Sequence, residues 1–321
     1  MIARLITVMA AFVSIASAAY AAPYPDRPVK IVVPYTAGGS VDLVSREVAR
    51  RLEGQLGQTF IVENKSGASA NIGAAYVAKS DADGYTLLMS AATTLAAAPS
   101  IFKNLTYDPR RDLTPVALIA AQPNVLVVHP SVKADNIAEF MALAKSSGGK
   151  LNCAIVSVGG PQHMSAELFA SITGTKLTQV PYRGGANAIT DLLGGQVNVM
   201  FAAVPEALQH IKSGKLRALA VTTRGRSALL PDVPSLHEAG LTDYELIGWI
   251  GLAAPAGVPE PVLSRLNASV AKILADPQFK TWLNQKGLEP QGGTVAEFKS
   301  FVDKEVAKYG RLVKAAGIQP M

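Results

Sequence analysis

Short apolar segments alternate with amphipathic stretches along almost the whole chain, and this alternation restricts it to an α/β fold with mostly parallel sheets. Strands are predicted over residues 29–34, 59–63, 86–90, 124–129, 151–156, 177–181, 197–202, 218–222 and 251–254. The helices between them have readable ends. Val41, Val44, Val48, Leu52 and Leu56 recur on one face, and Gly57 stops the run. Over residues 136–146, Ile137, Phe140 and Ala144 point inward, with Gly148 and Gly149 as the stop. The helix after Gln162 is expected to turn Met164, Leu168 and Ile172 inward and to end at Gly174. Pro205 and Pro261 suit first helical positions. Thr294-Val295-Ala296-Glu297 reads as a capping box ahead of Phe298, Phe301, Val302 and Val306. From Glu260 onward the chain is nearly all helix. A chain that enters a second α/β unit near Asn124 and returns near Gly248 accounts for that change. The expected division is residues 22–123 with 246–321 in one lobe and 124–245 in the other.

Residues 1–21 have the pattern of an export signal. Arg4 is their only charge, an apolar stretch follows Leu5, and Ala19-Tyr20-Ala21 fits the small-x-small cleavage rule. Cleavage is expected near Ala21. No later segment is long and apolar enough to span a bilayer, so the mature chain is expected to be soluble and outside the cytoplasm. Losing the signal removes Arg4 and no acid, leaving 29 of the 30 basic residues against 24 acidic ones, a net +5. The basic residues are dispersed and do not interleave with aromatics, which argues against nucleic acid as a partner. Cys153 is the only cysteine, so no internal disulfide is available. It lies in an apolar strand pattern, where burial raises a thiol's pKa and disfavours a nucleophilic role.

One segment stands out chemically. Ile31-Val32-Val33 leads through Pro34-Tyr35-Thr36-Ala37-Gly38-Gly39 into Ser40-Val41-Asp42, a strand feeding a helix through adjacent glycines. The first N–H groups of such a helix lack intrahelical acceptors, and with the helix dipole they favour a negatively charged oxygen. No basic side chain lies between Lys30 and Arg46, so an anion held here would rest on backbone and hydroxyl groups. The competing reading is a tight connection that needs glycine for backbone geometry alone.

Four further loops follow predicted strands, where open α/β sheets bind their ligands. They are Ser90-Ala91-Ala92-Thr93-Thr94, Ser157-Val158-Gly159-Gly160-Pro161-Gln162-His163, Tyr182-Arg183-Gly184-Gly185-Ala186 and Phe201-Ala202-Ala203-Val204-Pro205. Hydroxyls, amides and free N–H donors dominate, with no paired carboxylates, which is the chemistry of holding an acid rather than breaking a bond. No nucleophile elbow, phosphate loop or dinucleotide fingerprint occurs, and the four histidines lack metal-ligand spacing. No cofactor and no metal are expected. For several residues two roles stand side by side. His163 either donates to a ligand carboxylate or supports the loop from outside it. Asp42 either touches the ligand or braces the turn through backbone N–H groups. Arg183 either pairs with a carboxylate, clamps the lobes or stays in solvent. Tyr35 either contacts the ligand or lines the cleft. Trp249, near the crossover, reads as interlobe packing more than as a stacking platform.

Taken together, these segments make the chain resemble the substrate-binding proteins of tripartite tricarboxylate transporters, the Bug family of periplasmic receptors. The resemblance is collinear over nearly the whole mature chain. It is carried by Tyr24-Pro25-Asp26-Arg27-Pro28-Val29, the 34–42 turn, Val62-Glu63-Asn64-Lys65-Ser66-Gly67, Asn71-Ile72-Gly73-Ala74 and Asp83-Gly84-Tyr85-Thr86. Leu105-Thr106-Tyr107-Asp108-Pro109, Val180-Pro181-Tyr182-Arg183-Gly184, Asp191-Leu192-Leu193-Gly194-Gly195-Gln196-Val197 and Pro231-Asp232-Val233-Pro234-Ser235 continue it. It implies a two-lobed periplasmic-binding-protein fold of type II, a Venus flytrap with a mixed, mostly parallel sheet in each lobe. It also implies a periplasmic, monomeric, non-enzymatic receptor that passes a small carboxylate to integral-membrane transporter subunits. The ligand-binding residues it implies here are Tyr35, Thr36, Ala37, Gly38, Gly39, Ser40, Asp42, Ser90, Ala91, Thr93, Ser157, Gly160, Gln162, His163, Arg183 and Ala202. Two departures matter. Ala37 stands where many relatives have proline, and Ala202 follows Met200-Phe201 where an acid is common. Without that acid an amino group loses a partner, which points to a di- or tricarboxylate or an aromatic carboxylate. The alternatives are a ligand sensor feeding a membrane histidine kinase and, from another class, a two-lobed exported enzyme.

Overall fold

The computed structural model describes residues 24–182, 184–315 and 317–320. The expected export signal and Arg183 lie outside them. Two sheets organise the chain. The first has six strands in the order β11-β4-β10-β3-β1-β2, and the second five in the order β7-β6-β8-β5-β9. The strands are β1 (Val29–Val33), β2 (Phe60–Asn64), β3 (Thr86–Ala91), β4 (Leu113–Gln122), β5 (Asn124–Val128), β6 (Asn152–Val156), β7 (Thr178–Tyr182), β8 (Val199–Ala203), β9 (Arg217–Val221), β10 (Gly248–Pro255) and β11 (Glu289–Pro290). In the first sheet β1 pairs in parallel with β2 and β3, whereas β10 runs antiparallel to β3 and β4, and β11 antiparallel to β4. So β1, β2, β3 and β4 share one direction. In the second sheet β6 is parallel to β7 and β8, and β5 is antiparallel to β8 and β9. Only β5 runs against its neighbours there.

The helices are α1 (Ser40–Leu56), α2 (Asn71–Ala78), α3 (Ala98–Ile101), α4 (Ile137–Ser146), α5 (Pro161–Thr173), α6 (Gly185–Leu193), α7 (Val204–Lys212), α8 (Glu260–Ala275), α9 (Pro277–Gln285) and α10 (Val295–Ala315). The first buries Val41, Val44, Val48 and Leu52, and Gly57 (φ 73°) closes it by donating its N–H to Glu53. Its seam packs on Ile31 and Val33, while the intervening Val32 faces a second core that also holds Leu126, Phe140, Phe169 and Phe201. That two-residue alternation is the strand period, and each fully buried side chain of this size contributes about 1.5–3 kcal/mol. Asn136 caps α4 by accepting from the Glu139 N–H at 2.9 Å. The capping box forms: Thr294 N–H donates to Glu297 at 2.7 Å, and Glu297 N–H donates back at 3.2 Å. No helix among the described residues is long and apolar enough to cross a membrane.

Three expectations need correction. The strand β4 is absent from the predicted set because Pro115 interrupts an alanine-rich run, and proline normally marks a sheet edge. Here Pro115 sits opposite Ala253, where the β4–β10 register shifts, so the missing N–H falls at an irregularity. The strand β10 also runs three residues earlier than expected, from Gly248. In α5 Met164 is buried and Leu168 packs partly buried on the core, as expected, but Ser165 and Phe169 complete the inward face and Ile172 is exposed. Beyond β3 the chain enters a π-helical turn, Thr93–Ala97, that periodicity does not reveal.

Candidate functional site

The strands β1, β3, β6, β7 and β8 each run into the start of a helix or helical turn, and these junctions meet around one cleft. From the first lobe Tyr35, Thr36, Gly39, Ser40, Val41, Ala91 and Thr93 line it, with Gln122 from the end of β4. Val156, Ser157, Pro161, Gln162, Gly184, Gly185 and Glu206 line it from the second sheet's side, and Trp249 from β10. Glu206 is the only charged side chain among the described lining residues.

At the first wall α1 starts from Gly39, in extended conformation, with no side-chain cap. The first α-helical bond of this turn runs from Leu43 N–H to Gly39 carbonyl at 3.0 Å, so the helix geometry leaves the N–H groups of Ser40, Val41 and Asp42 without helical acceptors. Gly38 takes φ 85°, a conformation that favours glycine, and donates its N–H to Asp42 Oδ2 at 3.0 Å. Asp42 also accepts from Arg46 Nε at 3.0 Å and from Asn64 Nδ2 at 2.9 Å. Burial opposes ionisation of Asp42, but the bonds from Arg46, Gly38 and Asn64 outweigh it and hold the carboxyl below its ordinary range. Tyr35 lines the cleft with a hydroxyl that burial pushes up to about 12, a contact from Thr93 pulling the other way.

The second wall repeats this design. Gly159 has φ 80° and donates its N–H to His163 Nδ1 at 2.9 Å, across the same four-residue spacing. Ser157 sits at φ 55°, unusual for a residue with a Cβ, and its carbonyl accepts from Gly160 N–H at 2.7 Å. The α6 start brings Gly184 and Gly185 to the cleft. A Cβ on Gly184 would fall 2.8 Å from Thr36 Oγ1, so the two lobes touch there. A Cβ on Gly185 would fall 2.2 Å from Glu206 Oε2.

Of the residues named from sequence, Tyr35, Thr36, Gly39, Ser40, Ala91, Thr93, Ser157 and Gln162 come together on the lining. The other described ones stand off it. Ala37 and Gly38 are exposed on the turn. Asp42 and His163 spend their acceptors on glycine N–H groups, and Gly160 carries the backbone bond of its turn. Ser90 is wholly buried and donates to the Gly251 carbonyl at 2.7 Å, tying β3 to β10. Ala202 is buried in β8 opposite Val125, so its side chain is core. Sequence reasoning missed Gln122, Val156 and Glu206, and although it marked the loops that hold Val41, Pro161, Gly184 and Gly185, it did not single out those residues. Gln122 was hidden by the unrecognised strand, and the two glycines carry no side-chain signal. Glu206 lies one residue past the fifth loop; an acid in a helix's first turn, after a proline, was the available hint.

The profile described as Tripartite tricarboxylate transporter family receptor matches residues 44–318. BugT of Bordetella pertussis (strain Tohama I) is 35% identical over 320 residues, covering 98% of each chain. Among solved structures, R. palustris Rpa4515 with adipate has a TM-score of 0.90 and 36% identity, covering 93% of this chain and 100% of that one. MatC from Rhodopseudomonas palustris with bound malate has a TM-score of 0.85 and 31% identity, covering 90% and 100%. These neighbours share the two-lobed type II architecture.

Proposed function

The chain belongs to the tripartite tricarboxylate transporter receptor family, and from that premise we propose that its cleft captures a small organic di- or tricarboxylate or an aromatic carboxylate for delivery to integral-membrane transporter subunits. The observation that carries this is the α1 turn: uncapped N–H groups at Ser40, Val41 and Asp42 beside a cleft lined by hydroxyls and amides. One ligand carboxylate accepts from these groups, with Tyr35, Thr36, Thr93, Ser157 and Gln162 completing the polar surround directly or through water. Relatives holding adipate and malate support the ligand class. In this reading Asp42 and His163 shape the two turns without touching the ligand. Residues 22–123 and 246–321 move as one lobe and 124–245 as the other, closing by hinge motion. The protein acts in the periplasm as a monomer after cleavage near Ala21, and its role is capture without turnover. Burial pushes the Cys153 thiol up to about 12, which keeps it inert as a nucleophile.

Calorimetric titration of the mature protein with a panel of mono-, di- and tricarboxylates, beside thermal melting, tests the reading. We expect at least one carboxylate to raise the melting temperature and to show saturable, stoichiometric heat. Absence of any response across the panel would overturn it.

A further inference from the structure

Resting on the carboxylate reading of the cleft, we propose that Glu206 selects the far end of the ligand, binding a second carboxylate through a proton held between two carboxyl groups, so that a dicarboxylate enters together with one proton. The geometry makes the case. Glu206 lines the same cleft as the α1 turn, and its Oε2 is out of contact with solvent and has no hydrogen-bond partner among the described residues. Its carboxyl lies flat against Gly185, where only a glycine leaves room. A partnerless buried carboxyl oxygen is costly unless protonation or a ligand supplies the missing bond.

The remaining lining is rich in donors: the Gln122 and Gln162 amides, five hydroxyls, and the opening N–H groups of α1 and α6. Such a surround favours an acceptor-rich ligand, and Glu206 is its one acid. A second ligand carboxylate beside an ionised Glu206 would meet like charge, whereas a protonated Glu206 donates to it. Few charges bear on this group. β5 and β8, which pack on α7, carry none, and Asp191 of α6 is engaged by the Tyr182 hydroxyl at 2.7 Å. His210 and Lys212 lie at the far end of α7, and Lys286 precedes Gly287 where that loop meets Val204. Arg183, outside the described residues, enters the test below. Burial alone raises the Glu206 carboxyl to about 7.

The sign follows. Near pH 6 the free protein already carries the proton, and binding takes up none. Above about pH 7 free Glu206 ionises, and a dianion can bind only with proton uptake, so affinity falls by up to about tenfold per pH unit.

Titrating adipate from about pH 6 to about pH 9 in buffers of different ionisation heat measures both quantities. The wild type is expected to take up close to one proton at the alkaline end and to weaken there. Glu206→Gln is expected to bind adipate with no uptake and a flat profile. Gly185→Ala, which displaces the carboxyl, is expected to lose uptake as well while melting normally. The same-length zwitterion 6-aminohexanoate is expected to bind less tightly than adipate at pH 7. A flat wild-type profile, as ionic pairing of Glu206 with Arg183 would give, overturns the proposal. So does an equal slope in Glu206→Gln, or a preference for 6-aminohexanoate that this substitution abolishes. If monocarboxylates bind and no dicarboxylate does, this inference falls and the functional reading stands. If no carboxylate binds, both fall.

Discussion

The two walls of the cleft use one device built from different chemistry. Gly38 and Gly159 take nearly the same left-handed conformation, and each gives its N–H to the side chain four residues later, in the first turn of the next helix. On the first wall the acceptor is the Asp42 carboxylate, which Arg46 and Asn64 also engage. On the second it is the ring of His163, whose Nε2 lies 3.7 Å from Glu167. Because Nδ1 accepts, Nε2 carries the ring's remaining proton. A turn that presents N–H groups to an anion therefore needs a side-chain brace, but the brace need not be charged. The charged version carries three bonds and the neutral one a single bond to the turn, and that difference ranks the expected consequences of removing each.

Asp42→Ala is the larger perturbation. It leaves the Gly38 N–H without its acceptor, while Asn64 keeps the Tyr35 carbonyl and Arg46 keeps Asn64 Oδ1; losing partly buried bonds to a charged group costs about 1.5–3 kcal/mol. The turn then no longer holds its N–H groups in one direction, and carboxylate affinity is expected to drop by roughly ten- to a hundredfold, since about 1.4 kcal/mol is tenfold. Urea unfolding and calorimetric titration measure the two effects. The acid dependence carries a sign. A carboxyl held below its ordinary pKa of about 3.9 contributes stability at pH values above it, lost as pH falls through the depressed value. The wild type should lose more stability in that acid window than Asp42→Ala, in which the other carboxyls held low, those of Glu47, Glu63, Asp112, Glu238, Asp276 and Glu297, still titrate. Equal acid sensitivity in both would show that Asp42 is no brace.

These walls also differ in how much of them a sequence reader sees. The turn of the first is contiguous: strand, glycines, helix start and brace fall within residues 29–42, so periodicity and turn chemistry find them together. The second draws on α5, α6 and α7, whose starts are far apart in sequence and meet only through the sheet order β7-β6-β8-β5. The strand–helix alternation and most strand centres were legible because each depends on local burial period. β4 was not, because its place beside β10 is a tertiary choice that overrides Pro115 and a weak alanine-rich propensity. The role of Ser90 was hidden for a similar reason: a hydroxyl after a strand looks like a ligand group until its cross-strand acceptor, Gly251, is seen.

His163→Ala breaks the second brace and should cost less. One N–H, that of Gly159, loses its acceptor inside a buried turn, worth about 1–3 kcal/mol with the lost packing. Affinity is expected to fall by about three- to tenfold, because Gln162 and Ser157 shift with the turn while the α1 grip stays intact. His163→Asn, whose amide oxygen can accept, should restore part of the loss. A drop as large as that of Asp42→Ala would mean that the imidazole itself touches the ligand, and would reverse the ranking of the two walls.

Trp249→Phe probes the side of the cleft that β10 supplies, and its effect should be the smallest. The indole lines the cleft, packs edge-on against Phe298 and Phe301, and donates Nε1–H to Glu305 at 3.1 Å. Phenylalanine keeps much of the apolar packing but removes the donor from a buried carboxylate, leaving Glu305 with Lys308 at 3.5 Å. A loss of about 1 kcal/mol of stability follows from one such bond, with less than a threefold change in affinity, since no polar group facing the ligand is altered. Urea unfolding reads the first quantity and adipate titration the second. A large affinity loss with unchanged stability would make Trp249 a stacking surface for the ligand instead of a packing partner of Phe298 and Phe301. The comparison of walls would then need a third member, supplied by β10.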